Sequence, residues 1–447
     1  MGNHRKQKLK DLGTDALAET LLELAHRDEA AHHLVERLMT TTKETLKRAK
    51  SKLSGLKRSR KFIPWRESSK FAQELEALLQ DIKAGVNDSR TGAEMVASFF
   101  ETDHGTLAQC DDSSGHVGDV YRFTAKDLFV EYAARCENKD WLGELVLNLN
   151  RKDDYGVRDT LIDCARDYLP EPHIRIMIAR LKELADTETE EYQKRHWLLR
   201  IESLARQIKD APLFEKTRLA TWGKPSTAAC VDIARVYLES GDAETALSWL
   251  DLVPVDETFQ AHERDQLLLQ IYDLLGNREK QAEVAWRIFR RLRCGDSLHA
   301  LLTVIGQDKK ERVITDEIQA ILSEKSLTLS NATFLLEIGR LDEGEMYLLD
   351  RTDQLNGDFY GTLLPLAEMF ETKERALTSS ILYRALLNSI LRRAQSKAYP
   401  HGVRYLKKLD KLAQSIVDWR NFQDHDNYSK HLREKHGRKT SFWSRYR

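Results

Sequence analysis

Asp111, Asp112 and Asp119 fall in the longest polar interruption of the chain, Thr102–Val120, within the run Cys110-Asp111-Asp112-Ser113-Ser114-Gly115-His116-Val117-Gly118-Asp119. Carboxylates along a glycine-bearing loop are what a calcium site is made from. With Gly115 as the turn glycine of such a loop, its first position is Cys110 and its twelfth is Tyr121, where the ion requires Asp and Glu. Both anchoring carboxylates are missing. The spacing therefore favours an ordered turn in which Asp111, Asp112 or Ser113 accepts from local backbone amides. A nonstandard metal site, or an enzyme of unfamiliar type using Asp111, Asp112 and Asp119, stays as an alternative.

Two further stretches could do chemistry through charge. Thr42–Arg66 carries ten Lys/Arg, among them Lys57, Arg58, Arg60 and Lys61, against one acid, Glu44, and it contains Phe62 and Trp65. Basic residues beside aromatics can bind phosphates while stacking bases. The favoured reading is a solvated helix face with Leu46, Leu53 and Leu56 turned inward while the aromatics bury; a nucleic-acid or acidic-protein contact is the alternative. Tyr428–Arg447 repeats the pattern with Arg438 and Lys439 near Phe442, Trp443 and Tyr446. Three aromatics so close together favour docking onto the preceding helices with the cations outward; a phosphate or partner contact is the alternative.

Other chemistry is thinly represented. His425, His431 and His436 sit six and five residues apart, about 240° and 140° around a helix, and His32 and His33 point about 100° apart, so neither group suits a metal ion. Cys110, Cys136, Cys164, Cys230 and Cys294 show no ligand-like grouping and are expected as reduced, mostly buried thiols. No GxxxxGK[ST], HExxH or GxSxG occurs. Neither a cofactor nor a resident metal is expected.

The positioning elements are helices. Across 447 residues there are only 8 Pro and 21 Gly, with 41% hydrophobic and 32% charged residues, too apolar for disorder and biased towards helix. Seventy basic residues against 71 acidic leave a net charge of −1, so binding to a polyanion would have to come from local patches. No apolar run reaches the roughly 20 residues of a membrane span, and Met1–Asp11 has no signal-peptide core behind it. A cytoplasmic protein with no membrane partner is the expectation.

Along the chain, Thr14 is expected to cap a Leu-rich helix from Leu12. Helices then recur over Phe71–Ala84, Thr91–Glu101, Ala125–Arg135, Trp141–Asn150, Val157–Tyr168, His173–Ala185 and Glu190–Lys209. From Ser226 to Trp419 glycines punctuate apolar helical runs at Gly241, Gly276, Gly306 and Gly339, 35, 30 and 33 residues apart. Glycine just past a helix end takes the left-handed cap without a Cβ penalty, so this is the pattern of stacked helical hairpins. In the first of them Ala234, Tyr237, Gly241, Ala246 and Leu250 occupy tetratricopeptide-like positions. The fold class expected is all-α, a right-handed α-solenoid of tetratricopeptide-like hairpins. Its expected divisions are an N-terminal helical region with the basic arm (1–120), helical hairpins (121–225), repeats (226–420) and the basic aromatic tail (421–447).

Three stretches carry a resemblance: Asp111 to Tyr121, Arg393 to Tyr405, and Leu432-Arg-Glu-Lys-His-Gly-Arg-Lys-Thr-Ser-Phe-Trp443. They resemble an uncharacterised bacterial family of unknown function, which is similar to the helical regions that accompany SWIM zinc fingers. The SWIM motif itself, CxCx(n)CxH, is missing. The resemblance implies a bacterial cytoplasmic helical-repeat protein without an established activity. The expectation is a non-enzymatic scaffold that binds a protein partner. Nucleic-acid association through residues 42–66 and 428–447 is the first alternative, and an enzyme near loop 110–121 is the second.

Overall fold

The computed structural model of the chain describes residues 2–28, 31, 35 and 42–446. Among them the chain is all-α, with no β-strand; a single parallel bridge joins Ile63 to Cys110. Packing divides the chain into two compact units, Met1–Gln260 and Ala261–Arg447.

In the first unit the basic helix Thr42–Arg58 turns Ala49 and Leu53 inward against the helix Trp65–Gly85, whose Leu75, Leu78, Leu79 and Ile82 recur at helical spacing and are all buried. Beneath them Phe99 stacks tilted on Tyr121 at 4.8 Å, and Phe129 meets Tyr168 edge-on at 5.6 Å. Gly92 fixes one close helix crossing. A Cβ there would lie 2.2 Å from the Tyr132 ring, so only hydrogen fits.

Three local expectations change. The helix Thr14–Arg27 begins after Gly13 with no side-chain cap, so Thr14 does not accept from its first turn. The stretch Val157–Tyr168 breaks into a short helix, Asp159–Asp163, and a 3-10 turn, Ala165–Asp167; Arg158, just ahead of the helix, is bonded to Asp103 in a buried network described below. The interruption Thr102–Val120 contains two short helices, Asp103–Ala108 and His116–Asp119, and runs into a π-helical turn, Val120–Ala125.

One turn recurs through both units. At Gly241, Gly276 and Gly339 the chain is left-handed, with φ of 93°, 68° and 78°. The next amide in each case reaches back five residues: Asp242 to Tyr237 at 3.0 Å, Asn277 to Tyr272 at 2.9 Å and Arg340 to Leu335 at 2.7 Å. This is the Schellman closure of a helix end. The same closure occurs at Lys209 and Glu374, which adopt φ of 56° and 59° without being glycine, with Asp210 bonding to Ala205 and Arg375 to Phe370. Asp210, Asp242 and Asn277 then cap the following helix through their side chains, accepting from Leu213, Thr245 and Lys280. Gly306 departs from the series: φ 110° and ψ 136° place it outside the left-handed helical region. The hairpin Thr227–Ser240 with Ala243–Asp251 buries Ala234 and Ala246 completely and leaves Tyr237 and Leu250 nearly so.

The second unit has its own core. Phe289 packs edge-on against Phe334 at 5.6 Å, and Tyr347, Phe370 and Tyr383 are fully buried. The tail docks here. Phe442 is fully buried edge-on to Tyr399, Trp443 Nε1 donates to the His436 carbonyl at 2.9 Å, and the Tyr446 hydroxyl donates to Asp410 at 2.7 Å.

Candidate functional site

The acidic loop is tied to itself. Asp112 accepts from the Val117 amide through Oδ1 at 2.9 Å and from the Gly118 amide through Oδ2 at 2.8 Å, covering two of the orphan donors at the start of His116–Asp119. Asp111 accepts from Ser113, and Gly115 supplies the left-handed residue at φ 75°. Asp119 is exposed on the helical turn beyond. Asp111 and Asp112 thus face their own turn. Among the described residues no three His, Cys, Asp or Glu side chains gather as metal ligands.

The first basic segment is partly neutralised. Lys57 pairs with Glu101, and Arg48 and Lys52 pair with the buried Asp81. Arg58 Nε donates to the Ser54 carbonyl at 3.0 Å. Arg60 and Lys61 are exposed, and so, against the expectation that they bury, are Phe62 and Trp65, at 59% and 54%. Trp65 Nε1 donates to Ser114 Oγ at 2.5 Å, which fastens this segment to the acidic loop. His32, His33 and Arg447 lie outside the described residues, as does the side chain of Lys43. At the tail, Arg438 is exposed, while Lys439 is half-buried and its carbonyl accepts from the Phe442 amide. Residues 42–66 and 428–446 belong to different units.

Sequence reasoning missed a buried polar network. Arg158 holds Asp103 through Nε and Nη2 and gives Nη1 to the Leu149 carbonyl at 2.8 Å. Beside it Asp159 meets Asn150, His196 and Arg200. Burial raises the Asp159 carboxyl, but the His196 bond and the Arg200 charge outweigh it and hold the group below the ordinary range. Burial instead pushes Asp153 and Asp163 up. Arg158 and Asp103 lie 55 residues apart and Asp159 and His196 37 apart, so no local spacing announces the network.

A cleft of ≈ 800 Å³ in the second unit was also invisible to local pattern. Its walls come from the loop Thr352–Gly357, the helix Ala376–Arg393 and the helix His425–His436. Gly357 sets one wall close: a Cβ there would meet the Ala385 carbonyl at 2.1 Å. Arg384 lines the cleft and is only 6% exposed. Its guanidinium lies over Tyr428 at 4.3 Å and Trp419 at 4.7 Å, and Nη1 donates to the Gln423 carbonyl at 2.6 Å. Nε and Nη2 are buried without a hydrogen-bond partner among the described residues. Burial lowers the guanidinium to about 10, against a partial pull upward from Tyr428 and Asp424. Asp424 itself accepts from the amide and side chain of Asn427, capping its helix.

No curated protein matches the chain. A profile built for one protein family matches residues 3–445, nearly its whole length. The chain therefore belongs to DUF6880, a family of unknown function.

Proposed function

We propose that the chain is a non-enzymatic scaffold, a right-handed solenoid of tetratricopeptide-like hairpins, that binds a protein partner in a bacterial cytoplasm. The observation that carries this reading is the exposed apolar turn after the helix Ala243–Asp251. Leu252, Val255 and Phe259 stand 63%, 85% and 62% exposed within eight residues. Large apolar side chains offered together to water mark surfaces that another protein covers, and aromatic anchors contribute most where they become fully desolvated. The resemblance to helical regions that accompany SWIM zinc fingers is in keeping with such a role. The test is affinity capture with mass spectrometry on the full chain and on L252S/V255S/F259S, followed by reconstitution of each candidate from purified components. A partner that binds the natural chain directly and is lost in the triple variant supports the reading; a partner list unchanged by the variant overturns this surface.

A second reading, nucleic-acid association, is favoured by Phe62 and Trp65 standing exposed beside Arg58, Arg60 and Lys61. Its signature is affinity for DNA or RNA that falls as salt is added, because neutralised phosphates release counterions. Salt-independent affinity rules it out.

A further inference from the structure

We infer that the cleft walled by Ala376–Arg393 and His425–His436 is an oxyanion site that takes a phosphate group, with Arg384 as its buried charge. The inference is independent of the exposed turn at Leu252–Phe259.

The fold leaves a buried cation, Arg384, incompletely bonded. Desolvating a guanidinium is costly unless an opposite charge and full hydrogen bonding compensate. Arg384 is 6% exposed; among the described residues it has one hydrogen bond, to the neutral Gln423 carbonyl, and Asp424, whose charge favours it, makes no hydrogen bond to it. Two aromatic faces, Tyr428 and Trp419, lie against the guanidinium and supply cation–π attraction without using its donors. What remains is one edge, Nε and Nη2, desolvated and unpartnered.

That edge has a defined chemical use. Nε–H and Nη2–H point side by side and fit two oxygens of one oxyanion. The chain already demonstrates it: Arg158 grips Asp103 with the same two atoms, at 2.7 and 2.6 Å. At Arg384 no oxyanion among the described residues meets that edge.

The rest of the lining favours phosphate over a lone carboxylate. Lys435, His431 and His436 line the same cleft, as does Arg392, which already pairs with Asp358; Asp353 is the one acidic residue of the lining. A phosphate monoester brings up to two charges and three acceptor oxygens, enough to engage the Arg384 fork and a rim cation together. The cleft, at ≈ 800 Å³, has room for a phosphate together with part of a molecule that carries it.

Isothermal titration of the full chain with inorganic phosphate, at ionic strength held constant with chloride, tests the inference. Saturable one-to-one binding is expected, weakened at least tenfold in Arg384→Gln and about threefold in Lys435→Gln. Lys435 is exposed at the rim, so its variant keeps the test valid if Arg384→Gln does not fold. An independent readout is His436, whose imidazole is held low by burial and then by the charges of Lys439, Lys435 and His431. Bound phosphate should raise its titration midpoint in the NMR spectrum. A phosphoserine peptide that binds tenfold more tightly than inorganic phosphate would identify a protein side chain as the source; equal affinity would identify the free ion or a small ester. No saturable binding, or binding unchanged in both variants, overturns the proposal.

Discussion

Arg158 and Asp103, 55 positions apart in sequence, form a two-bond ion pair in which both side chains are almost wholly buried, at 3% and 1% exposure. Nε meets Oδ2 at 2.7 Å and Nη2 meets Oδ1 at 2.6 Å, while Nη1 donates to the Leu149 carbonyl. Such a pair adds little over a well-packed apolar replacement, but removing one partner leaves an uncompensated buried charge. Asp103→Ala should cost about 3–5 kcal/mol by that principle, read as a lower midpoint in denaturant. Combining it with Arg158→Met should recover a large part of the loss. Two purely additive penalties would show that the residues do not act as a pair.

The recurrent left-handed turn makes a prediction of opposite signs at two places. Gly241 sits at φ 93° with no atom within 4 Å of a Cβ placed there, so Gly241→Ala meets no neighbour but enters a conformation L-residues avoid. It should destabilise by about 1 kcal/mol. Glu374 already bears that penalty at φ 59°. Glu374→Gly should therefore stabilise by a similar amount, less the entropy glycine adds to the unfolded chain. Calorimetric melting of both variants checks this, and a fall in Tm for Glu374→Gly would contradict the account of the turn.

These turns also show what the sequence made legible. The run Leu75, Leu78, Leu79 and Ile82 announces a buried helix face because the period is local, and Gly241, Gly276 and Gly339 announce hairpin ends because glycine is cheap at positive φ. Lys209 and Glu374 close the same turn without that marker, since tertiary packing can impose a left-handed residue that composition does not advertise. The docked tail was legible from Phe442, Trp443 and Tyr446 needing somewhere to pack. The self-capping of the Asp111–Asp112 loop was legible too, because an Asx turn is made within a few residues. Lys57 being matched by Glu101, and Arg384 being sealed by Trp419, Gln423 and Tyr428, were not. Those partners lie 35 to 44 residues away, so only the folded chain brings them together.

Asp112 offers a local test of the loop. Both its oxygens cap amides, so Asp112→Ala strips two acceptors from the start of His116–Asp119 and should cost about 1–2 kcal/mol. The more specific readout is hydrogen exchange. The Val117 and Gly118 amides should exchange faster in the variant, whereas a loop held chiefly by the Trp65–Ser114 bond would leave them protected.

Glu371 contributes to the acid side of the second unit's stability, as do Asp358 and Asp424, which are also held low. Burial raises its carboxyl, but bonds from Lys408 and from the Tyr383 hydroxyl, the latter at 2.8 Å, outweigh this and hold it below its ordinary 4.5. Burial and the adjoining Glu371 carboxylate drive the Tyr383 phenol upward, so it stays a donor across the whole accessible range. A carboxyl lowered on folding contributes stability that is complete above its unfolded value and disappears as pH falls through its folded one. Wild-type protein should therefore lose stability below about pH 4.5 more steeply than Glu371→Gln, and their difference should be largest and constant at neutral pH. Lys408→Met should shift the acid limb the same way by removing the cation that stabilises the carboxylate. Unfolding free energies measured from pH 3 to pH 7 decide it. Parallel curves for wild type and Glu371→Gln would show that the carboxyl titrates equally in the folded and unfolded chain.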